Sequence, residues 1–322
     1  MKRFVSLLLA ALVLITLSIS VFADEITVGI IQYASHPSLD NCTEGFILGL
    51  AEGGFVQGEN LNIDFQNAMA DMATADMQAK LMVSQDEDMV VGVATPAAMS
   101  AYSATAEKGT PVVFVAVSDA VAAGIVESNE VPGTNCTGVS DVLNLDEQVK
   151  MIRAFLPEAT TIGIVYTVSE PNSIANLEIL NAIAPTYGFT VEAIGITSAS
   201  EVATAANSLA NMGVDLINNF TDNLVVENLP AVLLACEEAG IPVFGSEVEQ
   251  VVNGCLATQG IDYVELGKAA GRMAADVLNG ADPATMPVGL INDVTPAYNS
   301  ETLAALGLTL PEAYATATNV CE

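Results

Sequence analysis

Hydroxyl, amide and carboxylate side chains gather in this chain just behind short apolar runs. Gln32-Tyr33 and Ser35-His36-Pro37 follow the first run, Ala94-Thr95-Pro96 the third, and Val117-Ser118-Asp119 the fourth. A second group comprises Tyr166 through Glu170, Asn172 and Ser173, then Thr221-Asp222-Asn223, then Ser246-Glu247. Ligands of open α/β sheets sit beyond the carboxyl ends of the strands, so these are the positions from which side chains reach a bound molecule. A few oriented polar groups with flat surface from Tyr33, His36 and Tyr166 between them have the composition of a small-molecule pocket. An ammonium group needs a carboxylate, which places Asp222 first and Asp119 as its helper. A ligand carboxylate suits hydroxyls and helix-start N–H groups near Thr95-Pro96 and Ser173.

Each of these residues also has a purely local use. Thr95-Pro96 reads as an N-cap with a first-turn proline. Asp119 and Asp222-Asn223 read as caps of the segments behind them, His36 as a helix start before Pro37, and Tyr166 as a core ring with a wet hydroxyl.

Catalytic patterns are thin. The chain has no G-x-S-x-G elbow, no H-E-x-x-H and no phosphate loop, and Gly29 lacks the glycine spacing of a dinucleotide site. With one histidine and no C-x-x-C pair, no metal site assembles from spacing. The expectation is a binding protein without cofactor or metal, not an enzyme, with a secreted hydrolase as the alternative of another class. Of the five cysteines, Cys236 and Cys255 are the conceivable disulfide pair, and Cys321 is expected to be free.

The elements that would carry these residues alternate. Runs at 26–31, 61–65, 89–93 and 111–117 read as strands, separated by helical patterns at 37–50, 74–84 and 97–107. Ile125-Val126 and Val139 read as further short pieces. The rhythm restarts with helix 146–155, strand 161–166, helix 172–187, strand 190–194, helix 201–212, strand 216–218, helix 225–239 and strands 242–244 and 255–258. Apolar runs of this length between helices indicate parallel sheets covered on both faces. A helix at 263–278, a strand at 287–291 and a short helix at 300–306 then suggest that the chain crosses back, giving a hinge of several strands.

Composition limits the partners. With 39 acidic against 8 basic residues the formal charge is −31, a field that repels nucleic acid and anionic lipid. An apolar content of 52% with 15% charged residues fits packed interiors. The start, Met1-Lys2-Arg3, an apolar run Phe4–Leu17 and small residues up to Ala23, reads as a signal peptide cleaved after residue 23. The acidic pair Asp24-Glu25 stands where a membrane anchor would carry positive charge. Export to the periplasm or extracytoplasmic space is therefore expected.

The strand-end residues resemble those of the TrpX-like, tryptophan/tyrosine-type ABC transporter substrate-binding proteins, a group of periplasmic binding proteins. The similar stretches include VGIIQYASHPSLD (28–40), ATPAA (94–98), PVVFVAVSDAVAAGIV (111–126), TGVSD (137–141), IGIVYTVSEPNS (162–173), TDNLV (221–225) and GIDYVELGKAAGRMAADVLNG (260–280), in order along the chain. The resemblance implies a type I periplasmic-binding-protein fold: an α/β molecule of two Rossmann-like parallel-sheet lobes joined by a three-strand hinge. Residues 26–139 with 260–290 would form one lobe and 142–258 with 291–318 the other, 138–141 being one hinge crossing. It implies a cleft made by Gln32, His36, Thr95, Ser118, Asp119, Tyr166, Glu170, Asn172, Ser173, Asp222 and Asn223, to which the residue reading adds Tyr33 and Pro96. It further implies a monomer that delivers a small zwitterion, an aromatic amino acid such as tryptophan, tyrosine or phenylalanine, to an ABC permease in the membrane. A branched-chain amino acid, a nucleoside or a sensor role are the other readings. Thr167-Val168, Pro171 and Leu224 depart from the group's usual asparagine-proline, alanine and threonine at the pocket rim.

Overall fold

The computed structural model describes residues 25–291 and 294–321; the expected signal segment lies outside the described residues. In chain order its first half runs β1 (Ile26–Gln32), α1 (Pro37–Glu52), β2 (Leu61–Asn67), α2 (Met72–Ser84), β3 (Met89–Val93), α3 (Thr95–Thr105), β4 (Val112–Val115) and β5 (Cys136–Ser140). There follow α4 (Leu145–Phe155), β6 (Thr161–Thr167), α5 (Pro171–Ile183), β7 (Thr190–Ile196), α6 (Ala199–Met212), β8 (Leu216–Asn218), α7 (Asn223–Glu227), α8 (Leu229–Ala239), β9 (Val243–Phe244), α9 (Val248–Val252) and β10 (Ala257–Gly260). The chain closes with α10 (Tyr263–Leu278), β11 (Gly289–Leu290), β12 (Thr295–Tyr298), α11 (Ser300–Ala305) and β13 (Thr318–Asn319).

Two parallel sheets result. One has the order β11-β5-β4-β3-β1-β2, the other β7-β6-β8-β9. Every residue of β3, β4 and β5 is buried, because helices cover both faces of the first sheet. Its core gathers Val28, Ile30, Val91 and Phe114, while the second sheet packs Ile162, Ile164, Leu216 and Phe244 against α4 and neighbouring elements on one face. Val165, Ile217, Val202 and Val232 fill the other face.

The chain passes from the first sheet to the second after β5, returns between β10 and α10, and leaves again after β11. A small third sheet, β10-β12-β13, receives the tail, with β12 antiparallel to β10. This sheet was not expected from the sequence. Ile125-Val126 is buried but forms no strand, and the expected helix 225–239 is two helices. Pro230 explains that break: its ring excludes the carbonyl of residue 226 and it offers no N–H, so the helix restarts with proline in its first turn. Pro185 similarly ends α5 early, leaving 184–187 as a 3₁₀ turn. Cys236 and Cys255 share one apolar cluster as free thiols and not as the conceivable disulfide, and the other cysteines are also free.

Helices α1 and α10 are welded by glycine. Gly45 and Gly49 on α1 meet Gly267 and Gly271 on α10, each pair four residues apart and so on one helical face. A Cβ at Gly45 would overlap the Val264 carbonyl oxygen, one at Gly49 that of Lys268, and one at Gly271 that of Phe46. Backbone cannot yield as a side-chain tip can. Gly49→Val is therefore expected to destabilise the protein by about 3 kcal/mol or more, at or beyond the upper end of ordinary overpacking. Chemical denaturation of the variant measures it, and a parental midpoint would refute the contact. The weld has a consequence for function, since His36 is the N-cap of α1 and Tyr263 the first residue of α10, and both residues line the same cavity.

Candidate functional site

A partly open cavity lies between the carboxyl ends of the two large sheets. From the first come His36 and Leu39 at the start of α1, Ala94 and Thr95 at the start of α3, and Ala116 and Ser118 behind β4. From the second come Asn172, Thr221, Asn223 and Glu247, while Asp141 and Tyr263 sit on the segments that join the sheets. No lysine or arginine lines it. Among the described residues no cluster of side chains suited to a metal ion occurs.

Two cavity residues carry backbone strain. Ala94 has φ +76° and Ala116 φ +57°, both in the left-handed half of conformational space without being glycine. Such conformations cost about 1–3 kcal/mol each and persist where the surroundings impose them. Ala94 directly follows β3 and Ala116 directly follows β4, and Thr95 and Ser118, one and two residues further on, line the cavity.

Asp141 is buried and held on both oxygens: Tyr263 Oη donates to Oδ2 at 2.8 Å and Ser118 Oγ to Oδ1 at 3.1 Å. Burial, only partly offset by those bonds, pushes its carboxyl up to about 6. Glu247 heads α9 and accepts from Ser38 Oγ of α1, across the seam between the lobes. Burial first, then the charges of Glu249 and Asp141, push Glu247 up to about 8. Two further contacts cross the same seam. Asn41 Nδ2 donates to Glu249 at 2.8 Å, and His36 Nε2 lies 3.5 Å from Asn223 Oδ1. Burial pushes the His36 ring down to about 4, with its contact to Asn223 opposing, so the imidazole is neutral near pH 7.

Carboxylates this deep without a cation need another source of positive potential. Helix starts provide it: His36, Ala94, Glu170 and Glu247 are the N-cap residues of α1, α3, α5 and α9, and none forms a side-chain cap. The starts of α1, α3 and α9 line the cavity, and a helix start carries unpaired N–H groups and the positive end of the helix dipole.

The residues expected from sequence divide into three groups. His36, Thr95, Ser118, Asn172 and Asn223 line the cavity. Glu170, Ser173 and Asp222 form a buried shell behind it. Glu170 accepts from Asn172 Nδ2 and from the Asn223 and Leu224 backbone, and burial and then the charge of Asp222 raise its carboxyl well above the usual range. Asp222 is filled by donors of its own lobe, Thr167 N and Ser173 Oγ on Oδ2 and Thr167 Oγ1 and Val225 N on Oδ1.

The third group is engaged elsewhere. Gln32 binds Asp40 and the Ala34 carbonyl while accepting from Thr43, and Tyr33 Oη donates to the Ala70 carbonyl. Pro96 is buried in the first turn of α3. Asp119 accepts from Val121 N and Ala122 N, capping its own turn. Tyr166 packs on the second lobe's core. Sequence reasoning passed over Asp141 and Tyr263, although both lie in stretches that carry the resemblance. The available signal was their position at the joints between one sheet and the next.

This architecture, two parallel-sheet lobes enclosing a cavity between their strand ends, is that of a type I periplasmic binding protein. The description of ABC transporter substrate binding proteins matches residues 27–320, and the chain belongs to that family. It is 39% identical over 281 residues to a tyrosine-binding protein of Clostridioides difficile strain R20291, covering 87% of this chain and 81% of that one. A Streptococcus pneumonia domain crystallised with L-Trp is 35% identical, with a TM-score of 0.88 over 92% of this chain and 99% of that one. A ligand-free, open substrate-binding protein with adhesive properties from Clostridium difficile is 39% identical, with a TM-score of 0.69 over 91% and 98%. The protein is thus the substrate-binding component of an ABC transporter, in a family whose members bind solute. The chain as a whole superposes better on the L-Trp complex than on the open form, despite the lower identity.

Proposed function

We propose that the protein captures an aromatic amino acid outside the cytoplasmic membrane and, closed over it, presents it to an ABC permease as a monomer. The observation that carries this reading is one cavity lined both by the acids Asp141 and Glu247 and by the uncapped starts of α1 and α3. The ammonium of a zwitterion is met by Asp141 and Glu247. Its carboxylate is met by the N-terminus of α3, with the Thr95 hydroxyl beside it. Tyr263 and Leu39 supply surface for an apolar side chain. Each lobe offers half of these groups, so ligand affinity is realised only when the lobes meet, which biases a hinge toward the closed form.

The three chain crossings between the sheets would form that hinge, with residues 26–139 and 260–290 on one side and 142–258 and 291–318 on the other. Seam contacts Ser38–Glu247 and Asn41–Glu249 hold the closed form. Export through the segment up to residue 23 would place the protein at the membrane's outer face, and among the described residues no helix is long and apolar enough to cross a membrane. A thermal-shift screen of amino acids and nucleosides tests the reading. Tyrosine and tryptophan are expected to raise the melting temperature, leucine and nucleosides to leave it in place. A shift by nucleosides alone would overturn it.

A further inference from the structure

Three residues lining the cavity each carry a buried polar atom without a partner in the protein: His36 Nδ1, Asn172 Oδ1 and Thr221 Oγ1. The first is the most informative, because the surrounding network fixes what it is. Glu170 Oε2 accepts from Asn223 Nδ2 at 2.7 Å, and also from Asn223 N at 3.1 Å and Asn172 Nδ2 at 3.2 Å. Three N–H donors fall on Oε2 against one, Leu224 N at 3.2 Å, on Oε1, so any proton carried by Glu170 belongs on Oε1 and the orientation of the Asn223 amide does not depend on that charge. The amide oxygen of Asn223 therefore faces His36 Nε2. An oxygen there requires Nε2 to carry the hydrogen, and in a neutral imidazole Nδ1 is then a bare lone pair. Burial keeps the ring neutral near pH 7.

We infer that His36 Nδ1 accepts a hydrogen bond from a donor on the ligand's aromatic ring, so the site selects a phenol or an indole over a bare phenyl group. The inference rests on the aromatic amino-acid reading above and deepens it. The ammonium is not the occupant, because Asp141 and Glu247 line the same cavity and a cation seeks the carboxylates before a neutral nitrogen. What remains for Nδ1 is a neutral N–H or O–H. A ligand lacking one leaves a buried acceptor unpaired, the situation in which a polar site discriminates most strongly. Asn223 and Glu170 act as positioning residues, since they set the tautomer without reaching the cavity donor themselves.

His36 is the only histidine in the chain, so the ring can be read directly in the untagged protein. Long-range ¹H–¹⁵N correlation spectra at pH 7 without ligand are expected to show a pyridine-like Nδ1 and a pyrrole-like Nε2; the opposite tautomer overturns the inference. Calorimetry with L-tyrosine, L-tryptophan and L-phenylalanine is expected to show the first two binding about tenfold to a hundredfold more tightly than the third. His36→Phe should cut the preference for tyrosine and tryptophan over phenylalanine to within about threefold, whatever loss common to all three follows from removing the seam contact to Asn223. Equal loss for all three ligands would mean a merely structural role and would overturn it. Phenylalanine binding the parent protein as tightly as tyrosine would overturn this inference alone. Failure of all three to bind would overturn the aromatic reading and this inference with it.

Discussion

Asp141→Asn is expected to weaken binding of the aromatic amino acid by about 2–5 kcal/mol, the scale for removing one charge from a desolvated, hydrogen-bonded ion pair. The substitution is nearly isosteric and keeps the local bonds. An asparagine oxygen still accepts from Tyr263 Oη, and its amide can donate to Ser118 Oγ, which as a hydroxyl accepts as readily as it donates. What disappears is the negative charge. Calorimetry of the variant at pH 8 tests this, and parental affinity would remove Asp141 from the ammonium site.

The pH dependence follows with a definite sign. The carboxyls of Asp141 and Glu247 rise from ordinary values of 3.8 and 4.5 to about 6 and about 8, with burial as the main cause. The folded, ligand-free protein therefore holds more protons than the unfolded chain across this interval, so its stability falls as pH climbs from about 4 to about 8. An arriving ammonium reverses the burial cost and expels those protons. Affinity is expected to increase from pH 5 to pH 8 and then level, with proton release visible as a dependence of binding enthalpy on buffer. In Asp141→Asn the part of the rise near pH 6 should vanish while the part near pH 8 survives. A flat profile in the parent protein would contradict the assignment of the ammonium to these acids.

Much of the scaffold was legible because parallel strands buried on both faces, such as Met89–Val93 and Val112–Val115, need uninterrupted apolar runs that no other element requires. The tail was not legible. β12 contains Pro296, β13 is two residues long, and both depend on pairing with a strand from far along the chain. The site shows the same division. Strand-end position alone brought His36, Thr95, Ser118, Asn172 and Asn223 to the cavity wall. It does not say which acids have lone pairs left for a ligand. Asp119 is exposed and spends Oδ1 on its own turn, and Asp222 is filled by donors on two other segments and its own. Asp141 is presented to the cavity by Tyr263, 122 residues away, a pairing that no local pattern announces.

That contrast makes Asp222 the sharper test. Asp222→Asn is expected to cost the fold about 3 kcal/mol or more, because a buried carboxylate accepting from several donors is replaced by a group that can accept on only one side. Oδ2 takes Thr167 N at 2.6 Å and Ser173 Oγ at 2.7 Å, and Oδ1 takes Thr167 Oγ1 at 2.8 Å and Val225 N at 3.0 Å. An amide nitrogen in either place meets a backbone N–H head on, so neither rotamer relieves the conflict. The bonds join the end of β6 to the starts of α5 and α7, the three pieces that carry Asn172 and Asn223 to the cavity. Denaturation without ligand should therefore show the loss for Asp222→Asn and little change for Asp141→Asn, while ligand affinity at pH 8 should collapse for Asp141→Asn. An Asp222→Asn protein that melts like its parent yet no longer binds would restore the expectation from sequence, that Asp222 itself grips the ammonium. The two variants thus separate an acid that builds the wall from one that faces the solute.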